Sequence, residues 1–195
     1  MKRTFDFLLS LTSLLLLLPV FLVVAVLIKL SMPGPVFFRQ LRIGCYGKPF
    51  RIVKFRSMVV NREAISITLE HDRRITPLGR FLRRSKIDEL PQLWNILLGD
   101  MSFVGPRPDV PGYADQLQDH DRILLSARPG LTGPDSLAYP DEESLLAAQP
   151  NPEEYYDQVL YPDKVRINRE YLQRRSFWSD LGIILKTFLW VLFKK

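Results

Sequence analysis

One cysteine and two histidines are all the thiol and imidazole side chains that this 195-residue chain has. A single Cys45 rules out an intrachain disulfide framework and suits a reducing compartment. With no histidine near it in sequence, Cys45 reads as a small turn-flanking residue, not a nucleophile. His71 and His120 stand far apart without metal-ligand spacing, which reads as surface placement. Neither Gly-x-x-x-x-Gly-Lys-Ser/Thr nor Gly-x-Gly-x-x-Gly occurs, so a P-loop and a dinucleotide fingerprint are excluded. Internal repeats are missing, and the only low-complexity tract is a run of leucines.

What is present is positive charge and a long apolar run. A net charge of +6 with 27 Lys+Arg points to anionic partners. The basic residues form no recognisable nucleic-acid module, which leaves phosphate ligands and acidic lipid headgroups. Residues 14–28 carry no polar side chain, and Leu8 to Leu30 is mostly apolar, long enough for a membrane span of ~20 residues. No small-x-small cleavage pattern follows; the chain runs into Ser31-Met32-Pro33-Gly34-Pro35. A spanning anchor and a re-entrant hairpin both remain open. Pro19 in mid-run favours the hairpin, because it removes a backbone hydrogen bond. Lys2 and Arg3 before the run, with Lys29, Arg39 and Arg42 after it, favour it too, by placing both ends on the cytoplasmic face. At the other end, residues 176–195 are aromatic and apolar, closing on Lys194-Lys195. They suit a helix lying in a membrane interface, or one packed on a domain core.

Between these ends the pattern predicts an α+β fold with a β-hairpin and several short helices. Strand-like runs over Val36–Arg42 and Pro49–Met58 flank a turn at Gly44–Lys48. Alternation puts Phe50, Ile52, Lys54 and Arg56 on one face, where a solvated surface accounts for the two cations. Residues 61–76 read as a polar loop. Pro77 opens a helix to about Arg84, with Arg80, Arg83 and Arg84 on one face. Ser85 can cap the next segment, with Pro91 at a helix start and Gly99 as its stop. Asp88 and Glu89 stand at the positive end of that helix, where anionic groups are favoured. They are either capping acids or a pair able to hold a metal and attack phosphorus beside the arginines. Pro106 and Pro108 stiffen the backbone around Arg107. Residues 135–157 are acidic and proline-rich and read as an exposed insertion. The expected boundaries are 1–32 for a re-entrant membrane helix hairpin, 33–175 for a cytoplasmic catalytic domain and 176–195 for an interfacial amphipathic helix.

Taken in order, these residues resemble the bacterial sugar transferases, the small monotopic phosphoglycosyl transferases. The resemblance rests on Lys2-Arg3-x-Phe5-Asp6, Pro33-Gly34-Pro35-Val36-Phe37, Gly47-Lys48-Pro49-Phe50 and Lys54-Phe55-Arg56-Ser57-Met58. It continues through Gly79-Arg80-Phe81-Leu82-Arg83, Ile87-Asp88-Glu89-Leu90-Pro91-Gln92-Leu93, Gly99-Asp100-Met101-Ser102, Val104-Gly105-Pro106-Arg107-Pro108 and Arg128-Pro129-Gly130-Leu131-Thr132-Gly133. It covers nearly the whole chain and implies transfer of a sugar 1-phosphate from a UDP-sugar to polyprenyl (undecaprenyl) phosphate, initiating glycan assembly. By that resemblance Asp88 is the nucleophile that forms a phosphoaspartyl-sugar and releases UMP. Glu89, with Asp88, helps hold Mg²⁺. Lys54, Arg83 and Arg107 match phosphate-contacting cations, and Pro19 marks the break of a re-entrant helix. The implied location is the bacterial inner membrane, with membrane lipids as neighbours and the catalytic domain on the cytoplasmic face.

The chain departs from that family in three places. Leu18-Pro19 stands where the family has Ser-Pro. Pro134-Asp135-Ser136-Leu137-Ala138-Tyr139 replaces a Trp-Ala-Gln-Val-Asn-Gly-Arg stretch, and Asn168, with Asp163 nearby, stands where an aspartate is expected. The divergence over 134–170 is what a rival reading draws on: a non-catalytic membrane scaffold or regulator of polysaccharide assembly that retains the fold.

Overall fold

The computed structural model describes residues 1–59 and 74–193. Most of the loop expected over 61–76, and His71 with it, lies outside the described residues. Lys2–Ser31 form one helix, α1, rich in leucine and free of glycine. The helix–break–helix hairpin expected at Leu18-Pro19 is not formed, since α1 continues through Pro19. Pro19 lies on the exposed side of the helix, as does Leu15 one turn earlier. The ring is therefore accommodated away from the domain, and the inner face keeps its packing.

That inner face is a stripe at helical spacing. Leu14 and Leu17 pack with Ile52, Leu93, Ile96 and Met101, while Phe21, Val24 and Ile28 pack with Phe55 and Leu82. Both ends of α1 are fastened to the same body. Arg3 donates to the carbonyls of Ile96 and Leu97 at 2.5 and 2.7 Å. The Phe103 N–H donates to Asp6 Oδ1 at 3.3 Å. At the far end Arg56 donates to the Met32 and Pro33 carbonyls at 2.9 and 2.7 Å. The opposite face, with Leu8, Leu16, Leu22, Val23, Val26 and Leu30, is exposed.

Strands β1 (Phe37–Ile43) and β2 (Pro49–Phe55) form the expected antiparallel hairpin, with Phe38 opposite Lys54 and Arg42 opposite Phe50. Cys45 sits in its 3-10 turn, where Tyr46 and Gly47 take positive φ. The cationic face of β2 is not a solvated surface. Arg56 is buried against the end of α1, and Lys54 meets a carboxylate. Both cations find acceptors inside, which the alternation pattern alone could not report.

Helix α2 (Pro77–Arg84) starts at Thr76, whose hydroxyl accepts from the Gly79 N–H at 3.0 Å. A Cβ at Gly79 would collide with the Ser57 carbonyl, so glycine lets α2 lie on the strand exit. Ser85 does not cap the next segment. Its hydroxyl donates back to the Phe81 and Leu82 carbonyls at 2.8 and 3.1 Å, closing α2. Lys86 then adopts φ 57°, and a 3-10 segment (Ile87–Gln92) carries Asp88 and Glu89. Pro91 lies within that segment; α3 itself runs Leu93–Leu98 and ends at Gly99, φ 95°. Buried Asn95 ties α3 to the hairpin. It accepts from the Val53 N–H at 3.0 Å and donates to the Arg51 carbonyl at 2.8 Å, standing in for a neighbouring strand.

Strands β3 (Ser102–Val104) and β4 (Gly130–Thr132) pair in parallel. The segment read as an exposed acidic insertion is folded: α4 (Pro134–Ala138), α5 (Glu142–Ala147), α6 (Pro152–Tyr155), a π turn (Tyr156–Leu160) and α7 (Tyr161–Arg174). Three of its acids find internal partners, while Asp141, Glu153, Glu154 and Asp157 stay exposed, as expected. Glu142 holds the buried Lys164 at 3.1 Å, Glu143 pairs with Arg83, and Asp135 is buried. Helix α8 (Phe177–Phe193) is anchored by Asp180, which accepts from Lys2 and Tyr171, and by Thr187 against Thr132 at 2.7 Å. Trp178, Leu185, Phe188 and Leu192 remain exposed along it.

Candidate active site

Three elements converge on the two carboxylates: the end of β2, the 3-10 segment and the loop after β3. Lys54 Nζ donates to Glu89 Oε1 at 2.7 Å, and Arg107 Nη2 reaches the same oxygen at 3.2 Å. Arg42, Lys54, Glu89, Gln92, Arg107 and Leu131 line one cleft. Asp88 sits beside it, 6% exposed, and its Oδ1 is buried without a hydrogen-bond partner among the described residues. Neither acid caps a helix, because the 3-10 segment begins without any side-chain cap. The capping account of the pair is thereby set aside.

The environment separates the two neighbours electrostatically. Burial first, and then Glu89, push the Asp88 carboxyl up to about 6, against Lys54, Arg83 and Lys86. Burial alone would raise Glu89 too, but Lys54, Arg107 and Lys86 outweigh it and hold Glu89 well below the usual carboxylate range. The Lys54 ammonium is shifted down by burial and by Arg107, with Glu89 opposing. Burial and the Arg107 charge lower Arg42 to about 10. Adjacent acids with opposite shifts are the usual sign of divided labour between two carboxylates.

Lys54, Glu89 and Arg107 are thus brought into direct contact. Arg83 is near enough to act on Asp88, but its guanidinium is engaged by Glu143 and, at 3.8 Å, by Met58 Sδ. Pro19 lies on α1 far in sequence from these groups, on the exposed side. Sequence reasoning missed Lys86, Arg42, Asp135 and Glu143 as neighbours of the site. Only Lys86 carries a local signal, its place directly beside the acidic pair. The other three arrive through tertiary packing.

Residues 1–194 match the family described as bacterial sugar transferase. The chain is 37% identical over 193 residues to the UDP-glucose:undecaprenyl-phosphate glucose-1-phosphate transferase of Escherichia coli, covering 96% of this chain and 39% of that protein. A UDP-N-acetylgalactosamine-undecaprenyl-phosphate N-acetylgalactosaminephosphotransferase from Aeromonas hydrophila is 36% identical, with 95% and 42% covered. Exopolysaccharide production protein ExoY of Sinorhizobium fredii is 34% identical, with 95% and 83% covered. The chain spans about two fifths of the length of the first two relatives and most of the third. On the full-length match and the near-complete overlap with ExoY, the chain belongs to the bacterial sugar transferase family.

Proposed function

We propose that this protein transfers a sugar 1-phosphate from a UDP-sugar to polyprenyl phosphate at a membrane surface, through a phosphoaspartyl intermediate on Asp88. The observation that carries the reading is the buried, unpartnered Asp88 oxygen beside a Glu89 locked by Lys54 and Arg107. Asp88 Oδ attacks the sugar-bearing phosphorus, the bond to the bridging oxygen breaks, and UMP leaves with that electron pair. A polyprenyl phosphate oxygen then attacks the same phosphorus and returns Asp88 as a carboxylate. Lys54, Arg107 and Arg83 hold phosphate oxygens during both displacements.

Asp88 and Glu89 fit Mg²⁺, since that ion takes one or two protein carboxylates and completes its shell with water and substrate phosphates. Among the described residues no larger cluster of acidic, histidine or cysteine ligands exists, so water and the donor diphosphate would supply the remaining ligands. Bound there, Mg²⁺ would neutralise charge on the leaving group.

The exposed apolar faces of α1 and α8 support membrane attachment; we place it on one leaflet of the bacterial inner membrane, with the domain on the cytoplasmic face. Such a setting lets a soluble donor and a lipid acceptor share one site. The test is UMP release from UDP-glucose, UDP-galactose and UDP-N-acetylgalactosamine, the donors in the relatives' names. Purified protein with Mg²⁺ and undecaprenyl phosphate should release UMP from at least one, and Asp88→Asn from none. Full activity in Asp88→Asn would overturn the nucleophile. Silence with every donor, with no adduct on Asp88, would favour the scaffold.

A further inference from the structure

The parallel pairing of β3 and β4 sets Ser102 opposite Gly130 and Val104 opposite Thr132, so both chains leave from the same edge. Beyond β3 comes Gly105-Pro106-Arg107-Pro108; beyond β4 comes Gly133-Pro134-Asp135. The two exits touch backbone to backbone. A Cβ on Gly105 or Gly130 would collide with the facing main chain, and one on Gly133 would collide with the Gly105 carbonyl. Close approach of this kind needs glycine.

Pro106-Arg107-Pro108 has a single backbone N–H, that of Arg107, because proline has none. Asp135 takes it: Oδ2 accepts from Arg107 N at 3.3 Å. Asp135 is 1% exposed, and its Oδ1 is buried without a hydrogen-bond partner among the described residues. A buried carboxylate with so few acceptor contacts costs stability. Its compensation is proximity to the Arg107 charge, which it helps to hold in the protonated form. Asp135 also lies in the stretch where this chain departs from the family resemblance.

We propose that Asp135 is the positioning residue for Arg107. It holds the one free amide of the proline-flanked loop and thereby aims the guanidinium at Glu89 and at the donor phosphate. Aiming at the donor rests on the transferase reading; aiming at Glu89 does not.

The experiment uses the full chain in detergent or nanodiscs, with Asp135→Ala and Asp135→Asn. Asp135→Ala should speed hydrogen exchange at the Arg107 amide by about tenfold or more. A role of Asp135 as a bare charge predicts that Asp135→Asn behaves as Asp135→Ala does. Asp135→Asn keeps a carbonyl acceptor and should preserve the amide protection. In kinetics, Asp135→Ala should raise the donor KM by about tenfold with kcat changed less than about threefold. In an Arg107→Ala background it should add nothing.

Unchanged Arg107 exchange in Asp135→Ala, or equal KM increments in both backgrounds, would overturn the proposal. Where Asp135→Ala does not fold, Asp135→Asn carries the test, and loss of amide protection there overturns it. If no UDP-sugar is turned over, the transferase reading fails while amide exchange in Asp135→Ala and Asp135→Asn still decides the Arg107 placement.

Discussion

Lys54 Nζ lies 2.7 Å from Glu89 Oε1, with 18% and 13% of the two side chains exposed. The pair bolts β2 to the 3-10 segment, and Arg107 shares the same oxygen. A pair this buried adds little over apolar packing, but removing one partner strands the other charge. Glu89→Gln should therefore destabilise the domain by about 2–4 kcal/mol in denaturant titrations. The double variant Lys54→Met/Glu89→Leu should recover at least half of that loss and still release no UMP. If the double variant is as unstable as the single, uncompensated charge is not the cause.

Asp88 gives a prediction in which stability and activity move apart. Its carboxyl sits at about 6 in the fold, against an ordinary 3.8. The folded state thus binds this proton more tightly than the unfolded chain. The associated stability is fully present below about pH 4 and is lost as pH rises through about 6. Asp88→Asn should raise stability at pH 8 by about 1–3 kcal/mol, and the gain should fade towards pH 4. Wild-type UMP release should fall below about pH 6 as the nucleophile is protonated. A pH-independent stability difference between wild type and Asp88→Asn would show that the carboxyl is not perturbed.

Much of the architecture was legible in the sequence because it follows local rules. The hairpin, the proline start of α2 and the Gly99 stop of α3 each rest on residues within a few positions. The Lys54–Glu89–Arg107 contact was reachable only through the family resemblance, since those residues come from three separate elements. Misreadings occurred where tertiary partners overrode local character. Arg56 looked solvent-bound until the carbonyls at the end of α1 supplied acceptors. Ser85 looked like an N-cap but closes the preceding helix. Of the acids after Asp135, Glu142 and Glu143 are claimed by Lys164 and Arg83, while Asp141, Glu153, Glu154 and Asp157 stay exposed as their polarity indicated.

Glu143 makes a further point about Arg83. The Glu143 carboxylate holds the Arg83 guanidinium and is itself 45% exposed, whereas Glu142 is committed to the buried Lys164. On the proposed reading, a donor phosphate that takes Arg83 Nη2 would displace Glu143. Glu143→Gln should therefore lower the donor KM by about two- to fivefold with little change in kcat or in melting temperature. Glu142→Gln should instead destabilise the fold, because it leaves Lys164 buried without its partner. An unchanged or higher KM in Glu143→Gln would mean that the pair does not compete with the donor.

The topology of α1 can be decided independently of any chemistry. A straight helix of 30 residues would be about 45 Å long, enough to cross a bilayer, and its composition satisfies a membrane span. Crossing would carry one end to the far side. Yet Arg3 is bonded to the end of α3, while the Met32 carbonyl at the opposite end is bonded to Arg56. Both contacts are to the same body, so a crossing helix would have to surrender one set. With Cys45 replaced by serine, single cysteines at Lys2 and Ser31 should react with a membrane-impermeant maleimide only from the cytoplasmic side, as should a cysteine at exposed His120. Protection of Ser31 with labelling of Lys2, or the reverse, would show that α1 spans the membrane. Replacing exposed Leu16 and Leu22 by lysine should release the protein from vesicles without lowering its melting temperature in detergent, because neither side chain faces the domain.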